Sequence, residues 1–548
     1  MKRKKESAAG FVVQGSILAI ASIVARIIGM IYRVPVTRII GDYGNGVYAF
    51  AYEVYNMMLL ISCYSLPTAI SKLVAARTHD GEHKNGYKIF KAGLIFVIIV
   101  GSLAAIFTFV MADFISTNLM KDSMISLSLR VLAPTILVVA VMGVIRGYFQ
   151  GLGTMLPTAI SQIIEQIINA IVSVLGAYYL FSYGSKIALV LQNEKYAPAY
   201  GAAGSALGTF LGAIVGFIFL LFMLTIYKRV LKKRMLKDRA VHTDSYREIY
   251  MMLFATVVPI ILSTAVYNST VFIDQTIFNN VMNNKGVTNY TELFGVFTGK
   301  YRLLVNVPVA FASAMASSTI PSLTAAVASR DRKLINRKIN ISIRFIMMIA
   351  FPCTVGLAVL GSPMVQLLFN DNSILPVNLL RMGSIAVVLY SLSTLSNGIL
   401  QGLNRMKVPV RNATISLVIH VILIYLMLEF TNLNIYAVVL ANIIFAFIIC
   451  VLNAWEIKKV TGYRQEIYKS FLVPIISSAI MGIAAYLFYF LMCKLTKNIT
   501  ISFVFSFAIA VVVYAVVFLR MKGFTEDELA SLPKGKMLVK VARKFHLL

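Results

Sequence analysis

Apolar runs long enough to cross a lipid bilayer recur from one end of this 548-residue chain to the other. A helix needs about 20 mostly apolar residues to span the hydrocarbon core. Because lipid offers no hydrogen-bond partner, backbone groups inside a bilayer must be satisfied within helices or a closed barrel. Barrel strands would appear as short alternating segments, which this sequence does not show. The runs therefore predict an all-α integral membrane protein.

We predict about 14 transmembrane helices and number them as spans in chain order. The composition agrees, because only 13% of the residues are charged, whereas about a quarter are charged in a soluble domain. The predicted spans cover residues 11–40, 46–76, 88–111, 126–150, 157–181, 200–227, 250–278, 293–329, 340–369, 377–401, 409–429, 435–457, 467–491 and 499–519.

The 51 Lys and Arg residues indicate how the spans are oriented. With the basic N-terminus inside, most of them fall in segments on the inner side, which is the positive-inside pattern. We therefore predict that both termini are cytoplasmic. The net charge of +29 then reflects topology and contact with anionic lipid headgroups, and no nucleic-acid partner is expected.

The Ala19-Ile20-Ala21 stretch resembles a signal-peptide cleavage site, but the apolar run continues past it, so cleavage is disfavoured.

Two segment pairs repeat at nearly the same offset along the chain. Residues 146–155 and 397–406 share the pattern Gly-x-x-Gln-Gly-Leu-x-x-Met, and residues 71–77 resemble residues 324–330. The two segments of each pair lie six spans apart. Because six is an even number of spans, both segments keep the same orientation in the membrane. We therefore expect a parallel repeat of two six-helix lobes plus two extra C-terminal helices. The predicted domains are an N-terminal lobe (1–227), a cytoplasmic interlobe connection (228–249), a C-terminal lobe (250–457), the two added helices (458–519) and a basic cytoplasmic tail (520–548).

A glycine at every fourth position of the sixth span forms a strip of small residues. Such a strip lets another helix approach closely. We expect it to pack within the first lobe rather than between two chains, so the protein is predicted to be a monomer. The strip consists of Gly204, Gly208, Gly212 and Gly216.

Ionisable residues inside spans are the candidate functional residues, since an Arg at a helix centre costs about 2.5–3.5 kcal/mol on insertion scales and usually faces a cavity. Arg26 and Arg33 in the first span are seven residues apart, which returns them to nearly one helix face. Lys300 and Arg302 in the eighth span point to roughly opposite sides. Arginines near span ends are expected to snorkel to the interface. These are Arg130, Arg146, Arg344 and Arg381.

A cationic cavity in a membrane predicts an anionic cargo, because the guanidinium fork binds phosphate oxygens bidentately. Arg26, Arg33 and Arg302 belong to different lobes and could converge on such a cargo. The alternative is internal pairing, in which Glu53 or Asp274 neutralises one of these arginines. Lys300 could likewise contact the cargo or an acid.

Two acids could couple transport to an ion gradient. Glu165 lies on a polar face of the fifth span, and Asp274 lies on a polar face of the seventh. A buried carboxylate can bind a proton or a sodium ion. Each acid could equally be the counter-ion of an Arg, and the sequence leaves both interpretations open.

Neither the cysteines nor the histidines predict a metal site or a cofactor. The four cysteines lie in or near spans and form no close pairs. His79 and His83 lie four residues apart in a short polar loop, where a solvated turn is the better interpretation.

The stretch ARIIGMIYRVPVTRIIG (25–41) resembles the first helix of the bacterial lipid II flippase family. That family has an Arg, a Gly three residues later and a second Arg soon after. In this sequence the three positions are Arg26, Gly29 and Arg33. The resemblance thus implies that both arginines bind the cargo.

Two further stretches resemble the same superfamily of multidrug, oligosaccharidyl-lipid and polysaccharide exporters. Residues 301–324 are similar to the eighth helix of the flippase family, in which an Arg precedes Pro-Ser-Leu; these positions are Arg302 and 321–323. The closing stretch GFTEDELASLPKGKML (523–538) most resembles the stage V sporulation protein B and polysaccharide-exporter branch.

The resemblance implies an alternating-access flippase in the bacterial cytoplasmic membrane. Its cargo would be an undecaprenyl-diphosphate-linked oligosaccharide, foremost the peptidoglycan precursor lipid II, moved from the inner to the outer leaflet. The family also implies an Arg-lined cavity for the diphosphate, a groove beside the last two spans for the lipid tail, and sodium or membrane-potential coupling in some members.

Two other functions remain as alternatives. A cation-coupled multidrug exporter of the same superfamily would bind cationic drugs, which the arginines of the first and eighth spans oppose. A membrane glycosyltransferase or polymerase would need paired carboxylates or a metal site in sizeable loops. The predicted outer loops are short and hold no convincing acid pair, so we expect no enzymatic activity.

Overall fold

The computed structural model describes residues 17–18, 20–62, 66–236, 238, 240, 243–524 and 543, except for the side chains of 234, 258–260, 262–268 and 321. Within that part every regular element is a helix, which confirms the all-α prediction. It contains 11 helices long and apolar enough to cross a membrane, or up to 12 if a bent pair counts as one span. The predicted number of 14 spans is therefore not confirmed. The basic N-terminus and residues 525–542 lie outside the described part.

The helices are numbered in chain order. They are α1 (Ile20–Ile31), α2 (Arg33–Ser62), α3 (Leu66–His79), α4 (His83–Val110), α5 (Ile125–Gly151), α6 (Leu156–Leu191), α7 (Tyr196–Leu236), α8 (Tyr246–Asn284), α9 (Tyr290–Val296), α10 (Arg302–Ala328), α11 (Arg332–Phe369), α12 (Ile374–Gly383), α13 (Ala386–Gly402), α14 (Lys407–Phe430), α15 (Ile435–Thr461), α16 (Val473–Thr496) and α17 (Ile499–Arg520). A π-helical turn, Phe297–Tyr301, joins α9 to α10.

The helix breaks explain why counting spans is ambiguous. Gly41 has φ 67° and breaks α2 where the first and second predicted spans were separated. Glycine has no Cβ and adopts this left-handed backbone at little cost. The tenth predicted span consists of α12 and α13, which meet at an angle of 47°. Apolar runs thus locate the helical segments, but they do not show whether consecutive segments form one span or two.

The chain divides into two compact units, Met1–Gly299 and Lys300–Leu548. In the first unit α5 packs against α3, α4 and α7, and in the second unit α13 packs against α10 and α15. The predicted lobe boundaries, which differ from these units, stay predictions.

The repeated glycine motif makes the same type of close helix contact inside each unit. A Cβ added to Gly147 on α5 would lie 2.5 Å from the carbonyl oxygen of Pro67 on α3. A Cβ added to Gly398 on α13 would lie 2.9 Å from the Cβ of Ala316 on α10. In both units, the absence of a side chain lets two helices approach closely.

The glycine strip of α7 packs within the first unit, as predicted. A Cβ added to Gly204 would lie 2.1 Å from the carbonyl oxygen of Gly176 on α6, and one added to Gly208 would lie 2.1 Å from Ser173 Oγ. The strip therefore brings α7 against α6, the helix that carries Glu165. The monomeric state itself stays a prediction.

Candidate functional site

Helix α1 is held along α6 by polar side chains. Ser22 Oγ donates to Gln162 Oε1 at 3.3 Å, and Asn169 Nδ2 donates to Tyr32 Oη, just beyond α1, at 3.3 Å. These contacts fix the rotation of α1 about its axis. They leave Arg26, between them in sequence, beside the polar face of α6.

Arg26 borders a polar cavity of about 290 Å³ in the first unit. The cavity lies between α1, the end of α5 and the start of α6. Its other charged residues are Arg146 and Glu165, and its remaining polar residues are Ser22, Gln162 and Gln166. We refer to this space as the Arg26 cavity.

Arg146 and Glu165 form an ion pair across the helical hairpin of α5 and α6. Arg146 Nη2 lies 2.8 Å from Glu165 Oε2, and Arg146 Nε donates to Ser161 Oγ at 3.0 Å. The Arg146 side chain is only 14% exposed, so the expectation that it snorkels is wrong. It is a cavity residue that sequence reasoning missed, although it begins the repeated motif at 146–155.

The charges of the Arg26 cavity do not cancel. Glu165 is paired with Arg146, whereas no acid among the described residues forms an ion pair with Arg26. Two guanidinium groups and one carboxylate leave a net positive charge. The cavity is therefore complementary to an anion.

Arg33 lies at a different cavity from Arg26. Its guanidinium carbon is 5.6 Å from the ring centre of Tyr48 and 5.7 Å from that of Tyr52, both on α2. These distances are those of cation–π contacts. It borders a small space of about 20 Å³ together with Asn45. Helical hydrogen bonds from Tyr32 N–H to the Ile28 carbonyl and from Val36 N–H to the Tyr32 carbonyl continue between the two arginines, so Arg26 and Arg33 lie about 10 Å apart along the helix axis.

The candidate acids of the first unit lie on α2 and α8. Glu53 is half-buried on α2, next to Tyr52. Asp274 is buried on α8, with Thr270 one turn before it and Gln275 after it. Within the described part of the chain, the Thr270 hydroxyl and both amide atoms of Gln275 have no hydrogen-bond partner.

Lys300 forms an ion pair in the second unit. Its Nζ lies 2.6 Å from Oδ2 of Asp371, and its side chain is buried. Burial alone would raise the pKa of the Asp371 carboxyl, but hydrogen bonds from Lys300 and Ser373 outweigh it and lower that pKa below its usual value. This favours pairing over cargo contact for Lys300. Arg302 is half-buried at the start of α10, and its convergence with Arg26 and Arg33 stays a prediction.

Arg344 is a second residue for which the snorkelling expectation is wrong. Its side chain is 4% exposed, and its Nη2 lies 2.5 Å from Oε2 of Glu466. The Arg130 side chain, by contrast, is 45% exposed and pairs with Asp113.

A second polar group, which we name the Asp122 cluster, lies at the other end of α5. It consists of Tyr43, Asp122, Tyr290 and Thr291. The Tyr43 hydroxyl donates to Asp122 at 2.9 Å, the Thr291 hydroxyl donates to it at 2.8 Å, and the Tyr290 hydroxyl donates to the Lys121 carbonyl. The cluster joins α2, the segment before α5, and α9.

Metal binding finds no support among the described residues, since no group of three or more His, Cys, Asp or Glu residues could hold an ion there. His79 lies on the surface beside Asp80.

Known proteins match the chain along most of its length. The family model for polysaccharide biosynthesis proteins matches residues 12–327, and the MatE model matches residues 302–426. Lipid II flippase MurJ of Bacillus subtilis is 28% identical over 491 residues, which cover 85% of this chain and 86% of that protein. Stage V sporulation protein B of the same organism is 23% identical and covers 96% of this chain and 98% of that protein.

Solved structures show the same fold. A structure of lipid II flippase MurJ in an inward closed conformation matches with a TM-score of 0.66 at 16% identity, covering 91% of this chain and 97% of that one. An inward-facing multidrug resistance MATE transporter matches with a TM-score of 0.58 at 16% identity, covering 81% and 99%. The family model covers more than half of the sequence, so the chain belongs to the polysaccharide biosynthesis protein family.

Proposed function

We propose that this protein is a flippase that carries a polyprenyl-diphosphate-linked oligosaccharide, lipid II, from the inner to the outer leaflet of the bacterial cytoplasmic membrane. The observation that carries the proposal is the net positive Arg26 cavity inside a membrane transporter fold. The relatives named as flippases support the class of cargo. Alternating access moves the cargo, and no covalent chemistry is involved.

The diphosphate is the part of the cargo that the cavity recognises. Arg26 offers a planar fork of donors that matches phosphate oxygens. Glu165 and Ser161 hold the Arg146 guanidinium in place. In return, Arg146 neutralises the Glu165 carboxylate, which would otherwise repel the incoming anion. Arg33 and Arg302 would contact the cargo at other stages of its passage.

The charge and geometry of the three arginines can be tested separately. Arg→Ala at Arg26, Arg33 or Arg302 should abolish complementation of a strain that lacks its own flippase, with normal membrane abundance. Arg→Lys keeps the charge but loses the bidentate fork, so it should restore activity only in part. Arg130→Ala is the matched control, because the Arg130 side chain is 45% exposed and pairs with Asp113. Full complementation by all three Arg→Ala variants would overturn the proposal.

A cation-coupled multidrug exporter is the second candidate. The MatE match over 302–426 and the carboxylate of Glu165 in the cavity favour it. Purified protein should bind labelled lipid II, and a cationic drug should not displace it. If the cationic drug displaces the labelled lipid II, the exporter function is favoured.

Ion coupling is proposed at Asp274. Asp274 is buried, and the Thr270 hydroxyl, one turn before it on the same helix face, has no hydrogen-bond partner within the described part. Asp274→Asn should weaken transport more than it lowers the amount of folded protein. Unchanged transport with unchanged ion dependence would make Asp274 a structural residue.

The topology has its own test. A cysteine placed at Lys232, in the connection predicted to be cytoplasmic, should resist an impermeant thiol reagent in intact cells and react after permeabilisation. Reaction without permeabilisation would place this connection, and the termini with it, outside.

A further inference from the structure

An apolar cavity of about 350 Å³ lies in the second unit, and none of the three arginines lines it. It is bounded by α11, α13, the end of α15 and the segment that follows α15. Its apolar wall is formed by Ile343, Leu392, Cys450, Ala454 and Ile457. The volume falls in the range of about 300–1,000 Å³ that is usual for ligand pockets.

The rim of this cavity is basic and aromatic. Lys458, Arg464 and Trp455 are exposed lining residues, and the Lys459 ammonium lies 5.5 Å from the Trp455 ring centre. Trp, Lys and Arg side chains of this kind concentrate at the membrane–water interface. By the predicted topology this end of α15 faces the inner leaflet.

The rim charges are not neutralised by the acids closest to them in sequence. Glu456 pairs with Arg411 on α14, and Glu466 pairs with Arg344 on α11. Burial alone would raise the pKa of Glu466, but hydrogen bonds from Asn340 and Arg344 outweigh it and lower that pKa, so the carboxylate stays ionised and engaged. Among the described residues, Lys458 and Arg464 form no ion pair.

We infer that this cavity is a binding site for an anionic phospholipid, distinct from the proposed cargo path. The first part of an acyl chain fills the apolar cavity, and the headgroup phosphate lies between Lys458 and Arg464. The combination of an apolar interior with an uncompensated basic rim matches an amphiphile with one phosphate. The inference does not depend on the proposed cargo.

The test measures binding of phosphatidylglycerol and phosphatidylcholine, with identical acyl chains, to the full chain in neutral detergent by native mass spectrometry. Phosphatidylglycerol should bind at least tenfold more tightly. Lys458→Gln with Arg464→Gln should weaken it about 30-fold, which corresponds to about 1 kcal/mol for each basic residue beside an anionic headgroup. Ala454→Trp, which fills the mouth from an exposed position, should weaken both lipids.

Lys232→Gln with Lys233→Gln is the matched control, because it removes the same charge from exposed positions of α7 and should change nothing. Equal binding of the two lipids, or unchanged phosphatidylglycerol binding in the Lys458 and Arg464 double variant, would overturn the inference. Equally tight binding of water-soluble glycerophosphate would make it a phosphate site instead. Complete displacement of phosphatidylglycerol by lipid II would assign the cavity to the cargo.

Discussion

The Arg26 cavity and the Asp122 cluster lie at opposite ends of α5 and handle charge in opposite ways. Asp122 precedes the first turn of α5 and Arg146 lies in its last two turns, which at 1.5 Å per residue places them roughly 35 Å apart. Asp122 accepts hydrogen bonds from two neutral hydroxyls and is almost fully buried. Arg26 faces open polar space without an ion-pair partner in the described part of the chain.

We expect this difference to separate residues that hold helices together from residues that are available to a ligand. The three hydroxyl hydrogen bonds of the Asp122 cluster join different segments of the first unit, so removing one of these hydroxyls costs stability. Arg26 makes no such contact, so its removal should cost function alone. The four predictions below test this division, from the largest expected effect on stability to the smallest.

The largest effect should come from Gly295, which lies on α9 next to the Asp122 cluster. A Cβ added there would lie 1.8 Å from the carbonyl oxygen of Asp42, and a backbone atom cannot move aside as a flexible side chain can. Gly295→Ala should cost about 3 kcal/mol or more and greatly reduce folded protein in the membrane, as measured by size-exclusion chromatography. Gly356→Ala is the control, because nothing lies within 4 Å of its added Cβ. Equal yields of the Gly295→Ala and Gly356→Ala variants would mean that the fold does not require the close approach of α9 to Asp42 on α2.

Glu165→Ala should have the next largest effect, because it leaves Arg146 mostly buried without its counter-ion. The expected loss is about 2–4 kcal/mol, slightly less than for a fully buried pair, seen as a lower thermal unfolding midpoint in detergent. Glu165→Ala combined with Arg146→Ala should recover most of the loss. If the double variant is less stable than the single one, the pair does not act as a unit.

Tyr43→Phe should have a moderate effect on stability. It removes one of the hydroxyls that donate to Asp122 and leaves the ring in place. We expect a loss of about 1–2 kcal/mol in the same thermal assay. Tyr179→Phe serves as the control, since that ring is 67% exposed. A Tyr43→Phe variant as stable as the control would show that the Thr291 hydroxyl and the Met124 N–H are sufficient for Asp122.

Arg26→Gln should have the smallest effect on stability, within about 0.5 kcal/mol, as for exposed substitutions elsewhere. Transport should nevertheless be lost. Unchanged stability together with lost transport would distinguish Arg26 from the residues of the Asp122 cluster. A large drop in the unfolding midpoint would instead place Arg26 among the residues that hold the fold together.

The length of the apolar runs was sufficient to locate the helices, because a bilayer requires about 20 consecutive apolar residues in each spanning helix. Each predicted span overlies a helix, and Arg26 was found because a charge stands out in such a run. The pairs were not predictable in this way. Arg146 meets Glu165 only because α5 and α6 form a hairpin, and Lys300 meets Asp371 through a loop 71 residues away.

The Asp122 cluster was missed for a related reason. Asp122, Tyr290 and Thr291 lie near helix ends and Tyr43 lies beside the break at Gly41, and polar residues are expected at such positions. Tyr43 is 79 residues from Asp122 and Thr291 is 169 residues from it, so their contact depends on how whole helices are arranged. Sequence spacing carries no signal at these separations.

The hydrogen bonds of the Asp122 cluster contribute only a limited free energy to holding these segments together. Opening the cluster exchanges each bond for one to water, at a net cost of about 0.5–1.5 kcal/mol for neutral partners and about 1.5–3 when one partner is charged. Three such bonds therefore sum to only a few kcal/mol. That is comparable to the roughly 5.5 kcal/mol of differential affinity that converts a 1:99 population into 99:1. The cluster's hydrogen bonds therefore align α2 with α9, and the close backbone packing at Gly295 adds to the free energy that holds the two helices together.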